Sequence, residues 1–258
     1  MAITGPLIRV LGERYSWSVK SAVLDAIYFL LLKVDITLKP FLPQLQPTFM
    51  KNLNDINKTV RLKSGYALSK LLFMNPKLDQ IIIDIHNLIK NNEDLQIKET
   101  LLNTLRLCLN NVGSKVQDET KRQLAVTLKS ENYIYNEDVT IRAVSAGAVG
   151  SLAAYMSDAE FELLINDIFD YSKYSGKNWK YLQANCMVAA TVLQHMSTKV
   201  IGTKHDRKYL SFITACINSD KVSWTCLRLS YTLQICLIIF IKTIFSLVNS
   251  LDVSNYIF

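Results

Sequence analysis

The chain has 258 residues, half of them hydrophobic and 20% charged, with 8 Gly and 5 Pro; this excludes an intrinsically disordered, collagen-like or Pro/Gly low-complexity chain. At ~100–200 residues per domain, such a length fits one or two globular domains or one elongated array. The net charge of +7 favours acidic partners such as RNA, ribosomes or acidic protein surfaces and says nothing about fold, and no block of five like charges forms a basic tail.

No run of short β-rich segments bounded by Gly or Pro occurs, which argues against a β-sandwich or barrel. One phrase instead recurs along the chain. A helical apolar stripe is followed by a turn carrying Asp, then by a β-branched or aromatic residue and a cation that open a second helix. The pairs are Val19-Lys20, Val60-Arg61, Ile97-Lys98, Ile141-Arg142 and Trp179-Lys180, spaced close to the ~40–47 residues of HEAT and armadillo units. Asp55, Asp94 and Asp138 lie just upstream of three pairs, where an aspartate caps the second helix or meets the cation of a neighbouring turn.

The first unit spans residues 7–34. In the second, Phe41, Leu42, Leu45, Phe49 and Leu53 form one helical stripe, with Pro40 and Pro43 at its start, where a missing N–H costs little, and Pro47 placed to bend it. Residues 54–57 are the turn. Val60, Ala67, Leu68, Leu71 and Leu72 form the inner face of the second helix, which Asn75-Pro76 ends. Unit three runs through Ile81, Ile82, Ile85, Leu88 and Ile89, a turn at 91–94, then Ile97, Leu101, Leu102 and Leu105. Unit four has Leu124, Val126 and Leu128, a turn at 136–138, and a small-residue helix over 143–154. Gly147 and Gly150 each cost about 1 kcal/mol there against Ala, so tight interhelical contact is the expected reason for them. Unit five runs through Phe161, Leu164, Ile165, Ile168 and Phe169, then a turn at 174–177 and a helix over 179–193. Tyr209, Phe212, Ile213 and Ile217 begin a sixth.

From Val222 the pattern stops. Residues 233–248 are apolar on every helical face but fall short of the ~20 residues a spanning helix needs, and Lys242 interrupts them. Three readings stand open: a buried capping helix, a foreign C-terminus from a truncated or read-through gene, or a membrane anchor. The expected fold class is all-α, an α-solenoid of HEAT/armadillo-type repeats. Its array occupies residues 1–221, and a divergent hydrophobic C-terminal helix occupies residues 222–258.

No chemistry-bearing motif accompanies the repeats. P-loop, G-x-G-x-x-G, G-x-S-x-G and H-E-x-x-H patterns are absent, and Gly147 and Gly150 lie within a helical pattern. Five scattered cysteines without a C-x-x-C pair indicate reduced, intracellular usage. Three isolated histidines (His86, His195, His205) complete neither a zinc site nor a catalytic pair. The N-terminus lacks the charged and apolar regions of a secretory signal. No enzyme activity, cofactor, metal or small-molecule substrate is expected, and the expected location is cytoplasmic.

What remains is surface. Lys20, Arg61, Lys98, Arg142 and Lys180 share one repeat position and would form a basic ladder. Each cation either pairs internally with a neighbouring Asp or offers a docking stripe to an acidic or phosphate-bearing partner. Arg9, Arg14 and Lys39 have no repeat-mandated role and are surface-contact candidates. The candidate partner-binding set is thus Arg9, Arg14, Lys39, Arg61, Lys98 and Arg142.

Residues 3–15 (ITGPLIRVLGERY), 38–49 (LKPFLPQLQPTF) and 60–63 (VRLK) resemble the general-control translational activators, very long HEAT-repeat proteins that activate the initiation-factor-2α kinase. The likeness is clear over residues 3–72, patchier to Asp220 and absent after Val222. It implies a cytosolic scaffold that sits on ribosomes, senses stalled ones and signals to the kinase when uncharged tRNA accumulates. The matching part is the family's C-terminal region, which implies a fragment that docks the kinase's RWD domain, with most ribosome contacts in repeats outside it. A ribosome- or RNA-binding solenoid using the basic ladder, and a membrane-tethered adaptor using residues 233–248, are the alternatives.

Overall fold

A computed structural model describes residues 4–217 except 13, 14, 34, 175, 177, 201 and 202; the side chains of 35–37, 196–199 and 217 are also outside that set. Arg14 and the expected tail over 222–258 therefore lie outside the described residues.

The described residues form helices and contain no strand. The α-helices are α1 (Thr4–Gly12), α2 (Trp17–Lys33), α3 (Leu42–Asn52), α4 (Lys58–Leu71), α5 (Leu78–Asn91), α6 (Leu95–Val112), α7 (Asp118–Leu128), α8 (Val139–Ala153), α9 (Asp158–Ile168), the single turn α10 (Tyr171–Tyr174), α11 (Trp179–Val200) and α12 (Asp206–Ile217). Short 3-10 helices occupy Asp35–Phe41, Leu72–Met74 and Gly113–Lys115. Helix pairs joined by short turns repeat along the chain, the all-α HEAT/armadillo-type architecture expected from the sequence. Contacts divide it into two units, Met1–Leu124 and Ala125–Phe258, with the division inside α7.

In the first unit the second helices of successive pairs form one layer, α2 on α4 and α4 on α6, with α1, α3 and α5 each packed on its own partner. Leu24, Ile27, Leu45, Phe49, Val60, Leu68, Leu71, Ile81, Ile82, Ile85, Leu101 and Leu105 are buried between them. Each such side chain is stabilised by ~1.5–3 kcal/mol on burial, so apolar stripes rather than intrinsic propensity hold the pairs together. Gly65 lies where α4 meets α6: a Cβ there would collide with the Thr104 hydroxyl.

In the second unit α8 packs along α11, which also touches α9 and α12. Ala146, Ala148, Val149 and Leu152 of α8 and Leu182, Val188 and Val192 of α11 are all buried. A Cβ on Gly150 would stand 2.5 Å from Thr191 Oγ1 and 2.9 Å from its backbone carbonyl carbon. Close helix approach is therefore the reason for glycine at this position.

Side-chain caps start the helices. Asn57 accepts from Thr59 N–H, Asp94 from Gln96 and Ile97 N–H, and Asp138 from Thr140 and Ile141 N–H. Ser157 and Glu160 form a reciprocal capping box at α9. Such a cap contributes ~1 kcal/mol.

Several expectations change. Val126, grouped in the sequence with Leu124 and Leu128, is 72% exposed while those two are buried, and Leu88 is only half-buried. Pro40 and Phe41 belong to a 3-10 helix preceding α3, which continues through Pro47. Of the two roles expected of Asp55 the structure shows the second: it meets Lys20 of the neighbouring repeat, and Asn57, two residues later, caps α4. The helix expected over 179–193 extends to Val200. Among the described residues no helix is long and apolar enough to cross a membrane.

Candidate partner-binding surface

Three of the intra-repeat turns are built by paired carboxylate or amide side chains two residues apart, a detail not read from the sequence. Asp55 Oδ1 accepts from Asn57 N–H (2.9 Å), Asn92 Oδ1 from Asp94 N–H (3.0 Å) and Asn136 Oδ1 from Asp138 N–H (2.8 Å). The second residue of each pair then caps the following helix. A [DN]-x-[DN] signature thus marks all three turns, with Ile56, Glu93 and Glu137 as exposed central residues. The N–H groups of Ile141 and Thr140 hold the Asp138 carboxyl below the usual aspartate range, the Ile141 bond most strongly.

The cations that follow are spent on this framework. Arg61 Nη1 donates to the carbonyls of Asp55 (2.9 Å) and Ile56 (3.0 Å), while Nε reaches Thr100 Oγ1 on α6 (3.3 Å). Arg142 repeats the geometry. Its Nη1 donates to the carbonyls of Asn136 (2.7 Å) and Glu137 (2.9 Å), and Nε and Nη2 donate to Gln183 Oε1 on α11 (3.1 and 2.5 Å). Both arginines are 2% exposed. A planar guanidinium can serve a turn carbonyl pair and a neighbouring helix at once. Arg61 and Arg142 therefore do not form the surface stripe envisaged for them; they staple one repeat to the next. Lys20 pairs with Asp55 (2.8 Å) and Lys180 with Glu137 (2.5 Å), and Lys98 is half-buried on α6. The two arginines of the ladder thus face inward, and its lysines Lys20 and Lys180 are held by carboxylates.

Arg9 and Lys39 are exposed. The more prominent surface feature of the first unit is apolar. Backbone bonds Lys20 N to Ser16 O, Arg61 N to Asn57 O and Lys98 N to Asp94 O open α2, α4 and α6 equivalently. On that register Tyr15 and Ile56 occupy the turn tip, and Trp17 and Leu95 the first helical position. All four are exposed, as is Val19, and Ile56 reaches 98%. A groove of about 540 Å³ runs beside this edge, lined by Leu11, Lys20, Lys51, Asn54, Asp55 and Ile56.

Burial pushes the Cys108 thiol up to about 12, far from nucleophilic use. His86 is held below its ordinary value, chiefly by desolvation and secondarily by Lys90. Among the described residues no group of three His, Cys, Asp or Glu side chains could hold a metal ion.

Stacked helix pairs, stapled through their turns and exposing an apolar turn edge, define a HEAT-type helical-repeat protein. The chain belongs to the family described as stalled ribosome sensor GCN1-like HEAT repeats, which it matches over residues 79–239, beyond the point at which the repeat pattern stops in the sequence. It is similar to the stalled ribosome sensor GCN1 of Homo sapiens, with 35% identity over 222 residues, covering 86% of this chain and 8% of that protein. The eIF-2-alpha kinase activator GCN1 of Saccharomyces cerevisiae is 31% identical over 221 residues (85% and 8%), and Protein ILITYHIA of Arabidopsis thaliana 28% over 219 residues (85% and 8%). The chain thus spans about 8% of the length of these curated relatives. Among solved structures, it is similar to an engineered protein (TM-score 0.46, 13% identity, 91% of this chain and 97% of that one) and to a designed armadillo repeat protein (0.44, 11%, 91% and 98%).

Proposed function

We propose that this chain is a non-catalytic docking segment of a ribosome-sensing kinase activator, and that it engages the RWD domain of the initiation factor 2α kinase through the turn edge of the first unit. Its relatives' names supply the kinase and ribosome connection. The observation that carries the docking site is Ile56, 98% exposed at the tip of a turn whose backbone is locked by Asp55 and Asn57. A large aliphatic side chain held rigidly in water gains ~1.5–3 kcal/mol when a partner covers it and loses little conformational freedom in the process. Tyr15 and Trp17 extend the edge with aromatic groups of the kind that anchor interfaces. Arg9 and Lys98 are the cations assigned to its rim, while Lys39 precedes α3, at the opposite end of that helix from the turn.

The test is titration of the full chain with the isolated RWD domain by calorimetry. Ile56→Asp and Trp17→Ala are expected to weaken binding at least tenfold, and Arg9→Ala with Arg14→Ala severalfold. Absence of binding by the unaltered chain removes the proposal. Direct RNA binding through the basic ladder has less support, since Lys20, Arg61, Arg142 and Lys180 are engaged within the fold.

A further inference from the structure

The far end of the same helices carries a second surface of different chemistry. Tyr66, Lys70 and Phe73 follow one another at four and three residues, so they line one side of α4 and its 3-10 extension. Tyr66 is 45% exposed and Phe73 48%. Lys70 Nζ lies 5.7 Å from the Phe73 ring centroid, and Lys115 Nζ, from the 3-10 helix after α6, lies 5.9 Å from it. The hydrogen-bond partner of Lys70 is the neutral amide of Asn111 (3.4 Å), and that of Arg106 on α6 is the amide of Asn103 (2.9 Å). This contrasts with the first half of α4, where Lys58 meets Glu99 (3.0 Å) and Lys63 meets Asp25. Lys58 and Lys63 thus meet carboxylates, whereas Lys70 and Arg106 meet neutral amides that leave their charge intact.

The C-terminal dipoles of α4 and α6 account for cations at this position but not for an exposed aromatic ring between them. Cation–π contact with Phe73 restricts two otherwise mobile lysine side chains, so part of the ordering cost of binding an anion is already met. Because the ammonium groups lie over the ring, the patch presents positive charge outward rather than a bare π-face. That favours carboxylates over stacked nucleobases.

We infer that Tyr66, Lys70, Phe73 and Lys115 form a docking site for an acidic protein segment, carboxylates meeting the two ammonium groups and an apolar side chain lying against Tyr66. This site is separate from the turn edge: α4 has 14 residues, which at ~1.5 Å per residue places it roughly 20 Å away.

The probe is a fluorescein-labelled peptide of repeated Glu-Glu-Leu, titrated with the full chain by fluorescence anisotropy. The paired variant Lys70→Glu/Lys115→Glu is expected to weaken binding more than tenfold and Phe73→Ala severalfold, with affinity falling as salt is raised. A charge-matched control, Lys90→Glu/Arg207→Glu at exposed positions on α5 and α12, is expected to change it less than twofold. Equal losses in the two double variants would show attraction by net charge alone and overturn the site. Tighter binding of labelled oligouridylate than of the peptide, lost in the same variant, would overturn the assignment to a protein segment. RWD binding that survives Lys70→Glu/Lys115→Glu but not Ile56→Asp keeps the two surfaces experimentally distinct.

Discussion

Replacing Arg142 by Met retains most of the apolar stem and removes every polar contact of the guanidinium. The carbonyls of Asn136 and Glu137 and the Oε1 of Gln183 lose their donors together, and Gln183 is fully buried. A buried polar group stripped of its partner costs ~1–3 kcal/mol. The turn carbonyls can recover water more readily than Gln183, so the total should fall near 3–5 kcal/mol, the range for breaking a buried charged network. At ~2–4 °C per kcal/mol for domains of 150–250 residues, the melting temperature should drop on the order of 6–20 °C. Arg142→Lys keeps the charge but cannot span the turn and α11 together, so roughly 1–2 kcal/mol should be lost. Urea unfolding followed by circular dichroism measures the loss. Tryptophan emission gives a local readout, since the guanidinium lies 5.4 Å from the Trp179 ring. An Arg142→Met chain with an unchanged unfolding midpoint but lost partner binding would refute the stapling role and restore the arginine to the docking surface.

Gly150→Ala should destabilise by about 1–2 kcal/mol, because steric cost at the Thr191 backbone exceeds the ~1 kcal/mol helix-propensity gain. Gly65→Ala meets only the Thr104 side chain, so adding Thr104→Ala should restore stability, a coupling that a double-mutant cycle in urea detects. His86 has a lowered pKa in the folded chain, so the unfolded chain takes up protons more readily. Its contribution is complete above the unfolded value of about 6.5 and declines as pH falls below it. The melting temperature should drop between pH 7 and pH 5, and His86→Gln should flatten that drop; His205, shifted the same way, leaves a residual slope. Cys108, buried with its thiol raised to about 12, should resist a thiol-reactive dye in the folded chain and react on unfolding, as followed by absorbance.

Helix positions were legible because apolar spacing is local. The stripe through Ile81, Ile82, Ile85 and Ile89 needs no tertiary information, and it is buried as expected. The turn at 136–138 and the Asp138 cap were legible for the same reason. The [DN]-x-[DN] signature was equally present in the sequence, but it becomes meaningful only once both side chains are seen bonding to the same turn. Val126 misled because one apolar residue on a short helix carries too little periodicity to fix its face.

Sequence alone determined the repeating unit, its approximate length and the equivalence of its cations, since these follow from periodicity and capping within a few residues. Tertiary structure decided which way the cations point. Arg61 and Thr100, or Arg142 and Gln183, lie about forty residues apart and meet only when one helix pair stacks on the next. The direction of the turn carbonyls then draws the guanidinium inward, leaving Ile56 rather than Arg61 in solvent.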